Sequence, residues 1–294
     1  MQEFEKRLIL LHHCRGIGWK SIHTIIRFDN HLHQLFTRSP REWQDMLHKL
    51  KPSHLTSFYH DLHSVDLSER LRQYEMNSII VKTIFQSDYP ERLRNIHDPP
   101  WVLYMKGNER LLHQRRALAV VGARKPSEYG RKAIAAILPG LVDKGYVIVS
   151  GLASGIDACA HQTAMYHKGS TIAVLGGGLH QIYPKENTSL ALKMMKEQLV
   201  LSETPPMQRA EPWMFPMRNR IISGLSDGVF IVEAKERSGS LITALQALEQ
   251  GREIFALPGG YDSPLSKGTN KLIQEGAKLV LAEEDITDEF PYKK

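Results

Sequence analysis

The sequence predicts an α/β protein, a mainly parallel sheet covered by helices on both faces and preceded by a small all-helical region. Three observations carry this. Residues 1 to about 78 are polar and show apolar side chains at helical spacing. From residue 117 onward, short continuous apolar runs alternate with helical patterns, as strands buried on both faces do. Small residues, mostly glycine, stand where those runs end. The expected division is a helical domain over 1–78 and a sheet domain over 79–294.

In the first region, Leu8, Ile9, Leu10 and Leu11 lead into Cys14-Arg-Gly-Ile-Gly-Trp-Lys, and Ile22, Ile25 and Ile26 follow. Apolar helix, Gly-Ile-Gly turn and apolar helix make a helix-hairpin-helix pattern. Its glycines can let backbone N–H groups approach a phosphate at the start of the second helix, with Lys20 nearby. A plain hairpin of two helices uses the same glycines only to tighten the turn. Nine of the 14 histidines fall here, including His12-His13. Without cysteine pairs or HExxH spacing they read as scattered surface residues, not metal ligands. The helical pattern fades after Tyr74. Ser78–Phe85 and Trp101–Tyr104 read as extended, and Asp98-Pro99-Pro100 forbids helix.

The sheet elements then follow in order. Ala117–Val121 is a strand, and Ser127 can cap a helix running through Ile134 and Leu138. Pro139 should kink or end that helix. Tyr146–Ser150, Thr171–Leu175, Leu199–Glu203, Val229–Glu233, Glu253–Leu257 and Leu279–Ala282 are further strands. Helices are expected near 187–197, 239–250 and 269–275. Phe215–Ala234 combines a short helical segment with a buried strand. Met217, Ile221 and Leu225 should face inward, with Arg218 and Arg220 flanking Asn219.

Composition excludes several classes. The 294 residues are 42% hydrophobic and 24% charged, ordinary for a globular chain. A formal charge of +6 permits an anionic partner. Cys14 and Cys159 cannot form a disulfide framework, so a reducing cytoplasm is the simplest setting. The N-terminus lacks the pattern of a signal peptide, and no apolar run is long enough to span a membrane.

In open α/β sheets, ligands bind beyond the carboxyl ends of the strands. Those ends deliver Gly122 and Arg124, then Gly151, Ser154 and Gly155, then Gly176–Gly178 with Lys185 and Asn187. Ser238-Gly239-Ser240 and Pro258-Gly259-Gly260 follow later strands. Arg124, Lys185, Arg218 and Arg220 can converge on one edge, and helix N-termini there add roughly 0.3–1 kcal/mol each toward an anion. The pattern suits a phosphate-rich ligand, with internal ion pairs as the competing use of each arginine. GxGxxG and GxxxxGK[ST] are absent, which disfavours a dinucleotide or ATP. Asp157, Glu203 and Glu233 form no acid–base pair by spacing, Ser150 and Ser154 lie outside GxSxG, and Cys159 and His161 point to different helix faces. Structural roles are expected of all of them, with Asp157 favouring its own helix's dipole.

VGARKPSEYG, SGLASGIDACAH, TIAVLGGG with IYPKEN, FPMRNRIISGLSDG, ERSGSLITALQALEQGREIFALPG and GTNKLIQEGA together resemble the DprA/Smf family of bacterial DNA-processing proteins. They stand in family order over about 117–277, and DYPERL and DPPWVLY extend the match back to about 88. The resemblance implies an extended Rossmann-like domain after a SAM-like or helix-hairpin-helix domain. It implies sequence-independent binding and protection of single-stranded DNA during natural transformation, loading of the recombinase RecA, dimerisation through the Rossmann-like domain, no catalysis and no cofactor. The implied pocket falls on Arg124, Lys185, Arg218 and Arg220, beside Ser154, Gly155 and Asn187. Tyr183 and Phe215 are candidates to stack on bases. The chain ends about 17 residues past Ala277, so the winged-helix domain of some members is expected to be missing. The rival reading is a nucleotide phosphoribohydrolase-like enzyme, whose PGGxGTxxE loop is broken here after Pro258-Gly259-Gly260.

Overall fold

The computed structural model describes residues 1–290. The chain forms two compact units, Met1–Tyr89 with Asp98–Tyr104, and Pro90–His97 with 105 onward. In the first unit lie α1 (Glu3–His13), α2 (Trp19–Phe28), α3 (Pro40–Met46), α4 (Pro52–Ser64), α5 (Leu67–Met76) and β1 (Ile80–Thr83). Strand β2 (Val102–Gly107) carries the chain from the first unit into the second.

Leu8, Ile9, Leu11, Ile25 and Phe58 are fully buried and form much of the first unit's core. Helix α3 starts as its sequence dictates, with Pro40 in the first turn and a reciprocal capping box between Ser39 and Glu42. The Gly-Ile-Gly segment joins α1 to α2. Gly16 has φ +83°, and a Cβ there would lie 2.2 Å from the His54 carbonyl oxygen of α4. Beside it, the Arg15 backbone N–H donates to Asp61 Oδ2 at 2.9 Å, and the guanidinium donates to both carboxylate oxygens at 2.8 and 2.7 Å.

His12 and His13 depart from the expected surface role. Tyr104 OH is hydrogen-bonded to both at 3.2 Å, and Tyr74 OH to His13 at 2.9 Å. They lie at the end of an apolar helix that packs both imidazoles against tyrosine rings. Burial pulls His12 down to about 3 and His13 down to about 4, the neighbouring imidazole adding to the first and Arg70 to the second. No group of ligands able to hold a metal ion occurs among the described residues.

The second unit contains α6 (Glu91–Arg94), β3 (Ala117–Val121), α7 (Glu128–Asp143), β4 (Val147–Ser150), α8 (Ile156–Tyr166), β5 (Thr171–Leu175), α9 (Thr188–Glu197) and β6 (Leu199–Ser202). Then come α10 (Met214–Gly224), β7 (Gly228–Ile231), α11 (Gly239–Glu249), β8 (Glu253–Ala256), α12 (Lys267–Gln274), β9 (Lys278–Leu279) and α13 (Glu284–Thr287). The strands lying wholly in this unit are ordered β6-β5-β4-β3-β7-β8-β9 and pair in parallel. This is a doubly wound sheet of the Rossmann type, with β6 as an added strand. Its order reverses between β3 and β7.

Two local expectations are corrected. Helix α7 is capped by Ser127, whose side chain accepts from Gly130 N–H, and of the kink or end expected at Pro139 the end does not occur, the helix running on to Asp143. An interior proline costs about 3 kcal/mol. Burying Leu141 and Val142 beyond it returns about 1.5–3 kcal/mol for each fully covered side chain. In α10, Ile221 and Leu225 are buried as expected, but Met217 is 36% exposed. The inward stripe is Met214, Arg218, Ile221, Ile222 and Leu225, so an arginine occupies the position assigned to methionine.

Candidate nucleic-acid interface

The reversal point of the sheet is where a doubly wound fold leaves a crevice. A cavity of about 540 Å³ lies there. Its lining includes Gly122 to Arg124 after β3, Phe215 and Arg218 of α10, and Ser238 to Ser240 after β7.

The turn after β4 is built by close approach. Gly155 has φ +83°, and a Cβ would stand 2.3 Å from the Ala123 carbonyl oxygen. The same carbonyl accepts the first amide of α8, Ile156 N–H, at 3.1 Å. Asp157 is buried and accepts backbone N–H bonds from Gly151 at 3.1 Å and Ala153 at 3.3 Å. Burial raises its carboxyl above the ordinary range, against the opposing pull of Arg218 and these bonds. Its carboxylate thus folds back over the preceding turn. Ser154 Oγ donates to Glu186, and Asn187 Nδ2 donates to the Leu152 carbonyl at 2.9 Å. These two bonds tie the 151–155 turn to the segment carrying Lys185.

Arg218 is 7% exposed. Its Nη1 donates to the carbonyls of Gly151 and Val174, at the ends of β4 and β5, and its Nε donates to Asn219 Oδ1 at 3.1 Å. Burial lowers its pKa to about 10, with Asp157 opposing and Arg124 assisting that shift. It therefore stays cationic at neutral pH. Arg124 is exposed, and no carboxylate pairs with it among the described residues. Phe215 adjoins both cations, its ring centroid 5.9 Å from Arg124 Cζ and 6.0 Å from Arg218 Cζ. The exposed Tyr183 ring lies 5.6 Å from Phe215.

Arg124, Ser154 and Arg218 meet, with Tyr183 and Phe215, around a small recess beside the cavity. Lys185 is exposed on the short helical turn Lys185–Asn187 and lines neither space. Arg220 turns elsewhere, its Nη2 donating to both oxygens of Glu203 at 2.8 Å. The other two carboxylates near strand ends are also engaged. Glu233 accepts from Ser127 N–H at 2.9 Å and from Ser127 Oγ, and Asp157 holds its turn. His161 is hydrogen-bonded through Nδ1 to Thr171 Oγ1 at 2.7 Å, far in role from Cys159, which Arg131 contacts.

Two residues escaped sequence reasoning. Asn219 bridges α10 to α11 by accepting from Arg218 and donating weakly to the Gly239 carbonyl at 3.5 Å. Asn270 pins the Pro258-Gly259-Gly260 loop, donating to the Gly259 carbonyl at 3.0 Å and accepting its N–H at 3.1 Å. Neither carries a signal beyond lying next to a marked motif.

Fold and site define a Rossmann-type protein with a cationic, aromatic-lined crevice at the switch point of its sheet. The sequence model of the family described as DNA recombination-mediator protein A matches residues 80–291, and the chain belongs to that family. The DNA processing protein DprA of Bacillus subtilis is 50% identical over 221 residues, 75% of this chain and 74% of that one. Its counterpart in Streptococcus pneumoniae is 44% identical over 80% of each chain. The X-ray structure of DprA from Streptococcus pneumoniae superposes with a TM-score of 0.86 at 37% identity, covering 99% of this chain and 100% of that one. DNA processing protein A from Helicobacter pylori, described for its unique single-stranded DNA binding mode, gives a TM-score of 0.65 at 30% identity over 71% and 94%.

Proposed function

We propose that this protein binds single-stranded DNA without regard to sequence, through the crevice at the β3–β7 switch point. It thereby protects incoming DNA in natural transformation and loads RecA as a homodimer joined through its Rossmann-like domain. The observation that carries the reading is the gathering of Arg124 and Arg218 at one aromatic ring, each guanidinium carbon within 6.0 Å of the Phe215 centroid. An aromatic ring beside two cations suits a base stacked next to phosphates, whatever the base. Family membership and the single-stranded DNA binding of the Helicobacter pylori relative support it. Arg218, Ser154, Gly155 and Asn187 shape the edge, while Arg124 and Lys185 offer charge to the strand. Arg220 braces the turn through Glu203.

The role is binding, not turnover. Asp157, Glu203 and Glu233 are each engaged by protein donors, which leaves them poorly placed as a general acid or base. Purified protein is expected to release no free base from a nucleoside monophosphate. The central test is oligo-dT affinity of Arg124→Ala at several salt concentrations. Loss of one phosphate contact should lower the salt slope by roughly 0.7 log unit per log unit of salt. Wild-type affinity and slope together would remove the crevice from the DNA path.

A further inference from the structure

Helix α11 begins in the same cavity, and its start is anomalous. Ser238 holds the N-cap position but makes no capping bond. Its Oγ is buried and has no partner among the described residues. Ser127 at the start of α7, by contrast, caps its helix. Ser240 is only 9% exposed, lines the cavity, and its hydroxyl bonds no protein group among the described residues. The amides of Gly239 and Ser240 find no backbone acceptor, whereas Leu241 N–H bonds back to the Ser238 carbonyl at 3.2 Å. Two hydroxyls and two amides are thus left open at the positive end of an eleven-residue helix, in a cavity that also holds the buried cation of Arg218.

We propose that the N-terminus of α11, Ser238-Gly239-Ser240, is a phosphate subsite that takes the 5′-phosphate of one nucleotide seated in the cavity. This rests on the reading of the crevice as a nucleic-acid site and adds a second anchoring point to Arg124. Free amides and a helix dipole favour an anion, and Arg218 supplies the countercharge. Val121, Ile222 and Ile242 give the remaining wall an apolar character suited to sugar and base. A cavity of about 540 Å³ falls within the size range of pockets that enclose small ligands. The phosphate can belong to a strand or to a free mononucleotide.

Ser240→Asp and Gly239→Asp test this. Each puts a carboxylate where the phosphate would sit, and an acidic residue in the first turn favours the helix. Nothing lies within 4 Å of a Cβ at Gly239, so that variant also folds without a clash. The readouts are oligo-dT affinity of the full chain, and calorimetric titration with thymidine 5′-monophosphate and with thymidine. Loss of charge-assisted bonds should weaken oligo-dT binding roughly ten- to hundredfold in both variants. The monophosphate should bind wild type better than thymidine does, and that preference should vanish in Ser240→Asp. Wild-type oligo-dT affinity in both variants, with no preference for the monophosphate, overturns the subsite and leaves the strand reading intact. A wild-type chain that prefers the monophosphate yet ignores oligo-dT overturns the strand reading and keeps the subsite.

Discussion

Gly16 and Gly155 both take a positive φ, +83° in each. Each also stands against a carbonyl oxygen, 2.2 Å from a built Cβ at His54 and 2.3 Å at Ala123. An arginine accompanies each turn. In the first unit Arg15 gives its backbone N–H and its guanidinium to Asp61, so that turn is closed upon itself. In the second unit Arg124 follows the carbonyl that Gly155 approaches and pairs with no carboxylate among the described residues. A glycine turn beside a cation therefore does not by itself mark an anion site. What differs is whether the protein has already answered its donors.

Substitution of the two glycines should break the comparison most severely. Gly155→Ala and Gly16→Ala each force a left-handed residue into a carbonyl, a cost of about 1–3 kcal/mol or more. Both should lower the melting temperature by several degrees. Only Gly155→Ala should also abolish oligo-dT binding by the folded protein, and equal binding losses in the two would erase the distinction between the turns.

Acid should sharpen it next. The folded chain holds His12 and His13 unprotonated down to about 3 and about 4, while the unfolded chain takes up protons near 6.5. The unfolded state binds more protons between those values, so stability should fall as pH drops from about 6.5 to about 4. The Arg15 guanidinium holds the Asp61 carboxyl well below the usual range, so its contribution fades only at lower pH. Melting curves across that range should show the fall, and His12→Gln should flatten part of it. Oligo-dT affinity of protein still folded at pH 6 should not follow the same curve.

Smaller effects separate the arginines of α10. Arg218→Ala should reduce both stability and oligo-dT affinity, because its guanidinium ties two strand ends and faces the cavity. Arg220→Ala removes the ion pair with Glu203 and should cost stability while the salt slope of binding holds. A lowered slope in Arg220→Ala would return that residue to the strand path. Ser127→Ala should cost about 1 kcal/mol through the lost cap, and roughly 1.5–3 kcal/mol more through the lost hydroxyl bond to the buried Glu233 carboxylate, read by denaturant unfolding.

Strands β3 to β8 were legible because each is built on a continuous apolar run, and the parallel order followed from helices between them; the expected strand Leu279–Ala282 shrinks to Lys278–Leu279, with Leu279 and Leu281 exposed. The crevice was marked by the glycines at those strand ends and by Arg124 and Arg218, whereas Lys185 and Arg220 line neither it nor the recess beside it. Periodicity could not place Met217, since Arg218 takes the inward position when its guanidinium can reach two carbonyls. Nor could it foresee α7 running through Pro139, which depends on the core beyond. The fates of Arg218 and Arg220 diverge through Glu203, seventeen residues from Arg220 in sequence, a distance over which spacing carries no information.

One contact constrains how this protein can vary among its relatives. The Arg218 guanidinium lies so close to Gly151 that a built Cβ there would sit 2.6 Å from it. Positions 151 and 218 are consequently not independent characters. A lineage that acquires alanine at 151 must first shorten or redirect the side chain at 218. Any residue but glycine at 151 should therefore occur only together with a shorter or redirected side chain at 218.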